Sequence, residues 1–155
     1  VFSMLPRLLE RAGSDEHGTI TGFYTVLVEG DDFTEPIADA VRSIVDGHVV
    51  LSRSLAERNH YPAIDVLASI SRVMNQVTDE RHQAAAGEVR RMLATYKDAE
   101  DLVNVGAYKS GTHPAIDRAL ASIEQINAFL RQGRHEPAPW AETMRSLAEL
   151  AADDD

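Results

Sequence analysis

The stretch Arg58-Asn59-His60-Tyr61-Pro62-Ala63-Ile64-Asp65-Val66-Leu67-Ala68-Ser69-Ile70-Ser71-Arg72-Val73-Met74 sets a rigid aromatic and an arginine at the two ends of one short apolar run. Tyr61 precedes a proline, which biases its backbone toward the extended region and narrows the directions its ring can take. Residues 66–70 are apolar and partly β-branched, enough for a buried strand. Ser71 and Arg72 would then arrive at that strand's C-terminal edge, where open α/β sheets place ligand chemistry. No Gly-x-x-x-x-Gly-Lys loop accompanies it anywhere in the chain, so these residues do not cradle a phosphate by themselves.

Outward from this stretch, the N-terminal half alternates. Phe2, Leu5, Leu8 and Leu9 recur at helical spacing, with Gly13 as a stop, so a short amphipathic helix is expected over residues 2–12. Residues 14–18 read as a polar loop. Residues 19–29, rich in β-branched and aromatic types, read as a central buried strand. Thr34 can cap a helix with Glu35 and Pro36 in its first turn, running to Gly47 through Ile37, Val41, Ile44 and Val45. A second strand at 49–52 and a brief helix at 55–58 lead to the Tyr-Pro turn.

Beyond Gln76 the period changes. Ala85, Val89, Met92, Leu93, Tyr96 and Val103 mark one face of a long helix starting near Thr78-Asp79. A second helix carries Ile116, Leu120, Ile123, Ile126 and Leu130, and a third Trp140, Met144, Leu147 and Leu150, with residues 133–139 as linker. The expected architecture is α/β over residues 1–77, then all-α over 78–155, ending in a frayed acidic tail.

The chain has 155 residues, with 44% hydrophobic and 26% charged side chains, the profile of a globular protein with a sizeable core. A formal charge of -10 argues against nonspecific binding to nucleic acid or anionic lipid. No cysteine is present, which removes disulfides and thiolate metal sites and suits a reducing compartment. The six histidines lack a metal-ligand spacing and read as solvent-facing or capping residues. The chain opens at Val1 without a signal sequence and reads as a fragment.

The Tyr-Pro to Ser-Arg-Val-Met stretch, together with Pro6 to Gly13, Phe23 to Asp32, Asp46 to Arg53 and Ala99 to Lys109, resembles the flagellar and type III protein-export ATPases, relatives of the catalytic subunit of the rotary ATP synthase. The resemblance covers nearly the whole chain, and Ala99 to Lys109 most resembles the flagellar branch. It implies the C-terminal part of a RecA-like nucleotide-binding domain, with an incomplete parallel sheet, followed by a helical domain. It also implies a parent that binds ATP and magnesium through a phosphate loop, a magnesium aspartate and a catalytic glutamate lying upstream of this chain. The piece alone is expected to hydrolyse nothing.

The resemblance further assigns residues. Arg72 matches an arginine finger that reaches the γ-phosphate held by the neighbouring subunit, a role suited to the planar guanidinium. Tyr61 matches the tyrosine stacked on adenine and Phe129 the second aromatic of that pocket, although Phe129 equally fits the apolar side of its helix. Asp31, Asp32, Thr34 and Glu35 resemble a loop that touches a central stalk, and ordinary helix capping explains them equally well. The implied assembly is a cytoplasmic hexameric ring, peripheral to the inner membrane. Its implied partners are a coiled-coil stalk protein, export chaperones with their substrates, and the export gate, with no nucleic acid. A nucleotide-independent binding module for chaperones or stalk, or a subunit of a true rotary ATP synthase, are the alternatives.

Overall fold

A computed structural model describes residues 4–28, 30 and 35–152 of the chain. By its internal contacts it forms two compact units, Val1–His48 and Val49–Asp155, with the division falling inside a strand.

In the first unit, Pro6 opens the short helix α1 (Leu5–Leu9), a position where its missing N–H costs nothing. A hairpin follows, made of β1 (Gly13–Asp15) and β2 (Gly18–Ile20), antiparallel with Gly13 opposite Ile20. The loop expected at 14–18 is thus the tip of a hairpin. Its turn is closed by the Asp15 carboxylate, which accepts from the amides of His17 at 2.7 Å and Gly18 at 3.0 Å. The long strand expected over 19–29 is not formed: residues 21–28 belong to no ladder, and Phe23 and Leu27 are 95% and 91% exposed. A β-branched and aromatic run becomes a strand only where a neighbour accepts its amides, and none of the described residues does so here.

Gly22 marks a tight approach, because a Cβ there would stand 2.7 Å from the Tyr24 ring and 2.9 Å from Ala12 Cβ. Helix α2 (Pro36–Ile44) starts one residue later than expected and stops short of Gly47. Glu35 occupies its N-cap position with no side-chain capping bond. Asp31, Asp32 and Thr34 lie outside the described residues. Among its described residues, Leu9, Ala38 and Val41 are the buried apolar side chains.

β3 (Gly47–Leu51), whose last three residues open the second unit, and β4 (Ile64–Ser71) form a two-stranded sheet, joined by helix α3 (Arg53–Glu57). A single turn, α4 (Met74–Val77), leads to α5 (Glu80–Asn104), α6 (Pro114–Leu130) and α7 (Trp140–Ala151). Asp79 caps α5 by accepting from the His82 amide at 2.8 Å, where the sequence places the start. Ala85, Val89, Met92, Ile126 and Leu147 form the core between these three helices, with Leu93, Met144 and Leu150 packed against it.

Polar contacts fasten the bundle. Glu88 of α5 receives both Arg91 and Arg118, the latter at 2.8 Å, and Arg118 also donates to the carbonyls of Ala151 and Ala152 at the end of α7. The turn between α5 and α6 is organised by Asp117. Its carboxylate accepts from the Tyr108 hydroxyl at 3.0 Å, the Ser110 hydroxyl at 3.1 Å and the Gly111 amide at 2.9 Å. Gly106 and Gly111, with φ of 70° and 86°, take the left-handed turns that this loop requires.

Candidate functional site

Helix α3 ends in a reversal that builds the candidate site. Asn59 adopts a φ of 57°, tolerated by asparagine, and the His60 amide closes the helix on the Leu55 carbonyl at 2.9 Å. Tyr61 follows through a cis bond to Pro62, and its carbonyl accepts from the Gln132 amide at 2.9 Å. That bond ties the reversal to the C-terminus of α6. Between them lies an open groove of about 400 Å³ lined by Asn59, Tyr61, Ala128, Arg131, Gln132 and Glu136. Tyr61 is 53% exposed, so a large part of its ring is available to a flat ligand. The far wall is ordered from within: the Glu136 carboxylate accepts from the Gly133 amide at 2.7 Å, and its carbonyl accepts from the Gln132 side chain at 2.8 Å.

His60 is the residue that sequence reasoning misplaced. It is 5% exposed, the one buried polar side chain among the described residues, rather than solvent-facing. Burial, and secondarily the positive charge of Arg131, push its pKa below the ordinary 6.5, so it is neutral at pH 7. Its place between a left-handed asparagine and a Tyr-Pro turn is the only signal the sequence carries, and that signal marks a turn without saying which side chain turns inward.

Phe129 does not line the Tyr61 groove. It lies three residues beyond Ile126, which is completely buried, and shares that face of α6. Its ring packs against the α5–α7 core and borders a separate cleft with Gln125, Ser146, Glu149 and Leu150. The helix thus turns Ala128 and Arg131 toward Tyr61 and Phe129 toward the core.

Arg72 stands just past the end of β4, exposed at the surface of its unit. Helix α5 backs the segment that delivers it. Arg58 pairs with Glu100 at 3.3 Å, Lys97 approaches Asp65 at 3.9 Å, and Arg90 donates to carbonyls of β4. The first two pairs are solvent-accessible and contribute little. Among the described residues no cluster of three His, Cys, Asp or Glu side chains could hold a metal ion.

Residues 1–71 match the nucleotide-binding domain of the ATP synthase alpha/beta family, and residues 78–149 match the C-terminal domain of the type III secretion ATPase EscN. The chain is 52% identical over its whole length to a flagellum-specific ATP synthase of Bacillus subtilis, covering 35% of that protein. It is 53% identical over 98% of its length to a type 3 secretion system ATPase of Pseudomonas syringae pv. syringae, covering 34% of that one. The chain belongs to the flagellar and type III secretion ATPase family. The assembled ATPase EscN of enteropathogenic E. coli superimposes with a TM-score of 0.94 at 46% identity, over 97% of this chain and 37% of EscN. EscN in complex with its central stalk EscO gives 0.88 at 45% identity, over 97% and 36%. As a member of this family the chain combines part of a nucleotide-binding domain with a helical C-terminal domain, and it spans about a third of the length of the curated relatives it matches. The near-equal identities leave the flagellar and secretion branches undivided.

Proposed function

We propose that the protein carrying this chain is an ATP hydrolase that energises flagellar or type III protein export. The observation that carries this reading is the likeness to the assembled EscN ATPase along nearly the whole chain, through both the α/β segment and the helices. Its subunits form a hexameric ring on the cytoplasmic side of the inner membrane, with ATP between neighbours. The flagellar branch is favoured by the segment from Ala99 to Lys109.

In this reading the adenine lies on the exposed face of Tyr61, in the groove whose opposite wall carries Gln132 and Glu136. Stacking of a base on an aromatic face contributes about 1–3 kcal/mol and tolerates base identity. Tyr61 carries the stacking, and Phe129, half-buried against the bundle core beside a separate cleft, is the second aromatic assigned to the pocket. The sequence holds no Gly-x-x-x-x-Gly-Lys loop and the described residues no carboxylate cluster for a metal, so the phosphates and magnesium would be held by residues other than these.

Arg72 acts in trans. Water attacks the γ-phosphorus, the bond to the β-γ bridging oxygen breaks, and ADP leaves with phosphate. The Arg72 guanidinium donates to the γ-phosphoryl oxygens as charge moves toward the leaving oxygen, a contribution worth about 10³ to 10⁵ in rate. The ring further engages a coiled-coil stalk through Asp31, Asp32, Thr34 and Glu35, while export chaperones with their substrates and the membrane export gate are its other partners.

The test uses the full-length protein. Arg72→Ala should lower kcat by about 10³-fold with little change in KM for ATP. Mixing it with subunits disabled in their own phosphate loop should restore part of the turnover, because an intact loop meets an intact Arg72 wherever the two kinds of subunit adjoin in the productive order. Unchanged kcat in Arg72→Ala, or mixed rings as inactive as their components, would overturn the reading.

A further inference from the structure

The middle of β4, already paired with β3, is also gripped by side chains. The Asp65 carboxylate accepts from the amides of Leu67 and Ala68, both at 3.0 Å, folding the strand into a local turn. The Ser69 hydroxyl donates to the Asp65 carbonyl at 2.6 Å and accepts from the Val50 amide at 2.9 Å, so a side chain replaces a backbone carbonyl in the contact with β3. Arg90 of α5 donates to three carbonyls of the same segment. One terminal nitrogen donates to Val66 and, at 3.4 Å, to Ser69, and the other donates to Leu67 at 3.2 Å.

The base of Arg90 is itself fixed. Val89 and Met92, each 4% exposed, flank it on α5 and are set in the bundle core. The guanidinium is therefore presented from a rigid helix, and its planar fork serves several acceptors at once, which an ammonium on a flexible stem does not reproduce. Only Ile70 and Ser71 separate the Arg90-held carbonyl of Ser69 from Arg72.

We propose that Arg90 is a positioning residue for Arg72: by clamping the distorted middle of β4 against α5, it sets the path on which the strand delivers Arg72 to the neighbouring subunit. This inference rests on the trans role of Arg72 described above. Loss of the clamp lets the 65–69 segment relax into another hydrogen-bonded path and shifts the exit of the strand. A displacement near 1 Å at a reacting group can cost about 10²-fold in rate.

The experiment is a double-mutant cycle in the full-length protein, reading kcat, KM for ATP, ring assembly by sedimentation and the melting temperature. Arg90→Lys should assemble and melt as the parent does, yet lose about 10- to 100-fold in kcat with KM within about two-fold. The double variant Arg72→Ala/Arg90→Lys should turn over no more slowly than Arg72→Ala alone, since a residue that acts only through Arg72 has nothing left to position. Arg90→Gln, which keeps two donors, serves if lysine prevents assembly, and should show the same non-additivity. Parental kcat in Arg90→Lys, multiplicative effects in the double variant, or failure of both variants to assemble would overturn the proposal. If Arg72→Ala alone leaves kcat unchanged, it is the trans reading that fails; if it abolishes turnover while Arg90→Lys changes nothing, only the clamp does.

Discussion

Residues 20–28 and the α5–α7 bundle are both rich in apolar side chains, yet one is laid open and the other is packed. Phe23 and Leu27 are almost fully exposed, while Ile126 and Ala119 are 0% exposed. The difference lies in where each finds its partners. A helix satisfies its own backbone and needs only an apolar stripe to dock, and α5, α6 and α7 supply such stripes to one another. A strand must borrow its hydrogen bonds, and residues 21–28 have no lender among the described residues.

The contrast breaks first at Ile126. Ile126→Ala in this chain should cost about 2–5 kcal/mol in chemical unfolding, and a loss under 1 kcal/mol would mean that the bundle is not the stable part. Asp79→Ala removes the cap of α5 and should cost about 1 kcal/mol, with amide exchange rising first at His82. His60 sharpens the comparison through pH. Its folded pKa lies below 6.5, so the unfolded chain takes up the proton first; the stability it contributes is present above pH 6.5 and declines as pH falls through the window below it. Between pH 6.5 and 6.0 that decline should stay under about 0.7 kcal/mol. His60→Asn should flatten it, and NMR should find the His60 imidazole titrating below 6.5. The smallest effect belongs to the open segment: Phe23→Ser should change stability by less than about 0.5 kcal/mol, and protection of amides 21–28 equal to that of α5 would contradict the whole contrast.

The same contrast explains what was legible beforehand. The spacing from Ala85 to Val103, the Asp79 cap and the helices after Pro114 and Pro139 are local signals, and the structure has them in place. Residues 66–70 as a strand emerged slightly longer, as Ile64–Ser71. The strand at 19–29 failed because pairing is not a local property. The Tyr-Pro turn was readable from its proline, but the inward turn of His60 was not. That Phe129 packs against the bundle core follows from the register it shares with Ile126. Arg90 looked like any charged residue beside Val89, because its acceptors lie 21 to 24 residues earlier in the chain.

The 2.9 Å bond from the Gln132 amide to the Tyr61 carbonyl couples two places that the sequence separates widely. Because the bond joins the chain just past the end of α6 to the Tyr61 backbone, a substitution that displaces the end of that helix should also shift the Tyr61 carbonyl.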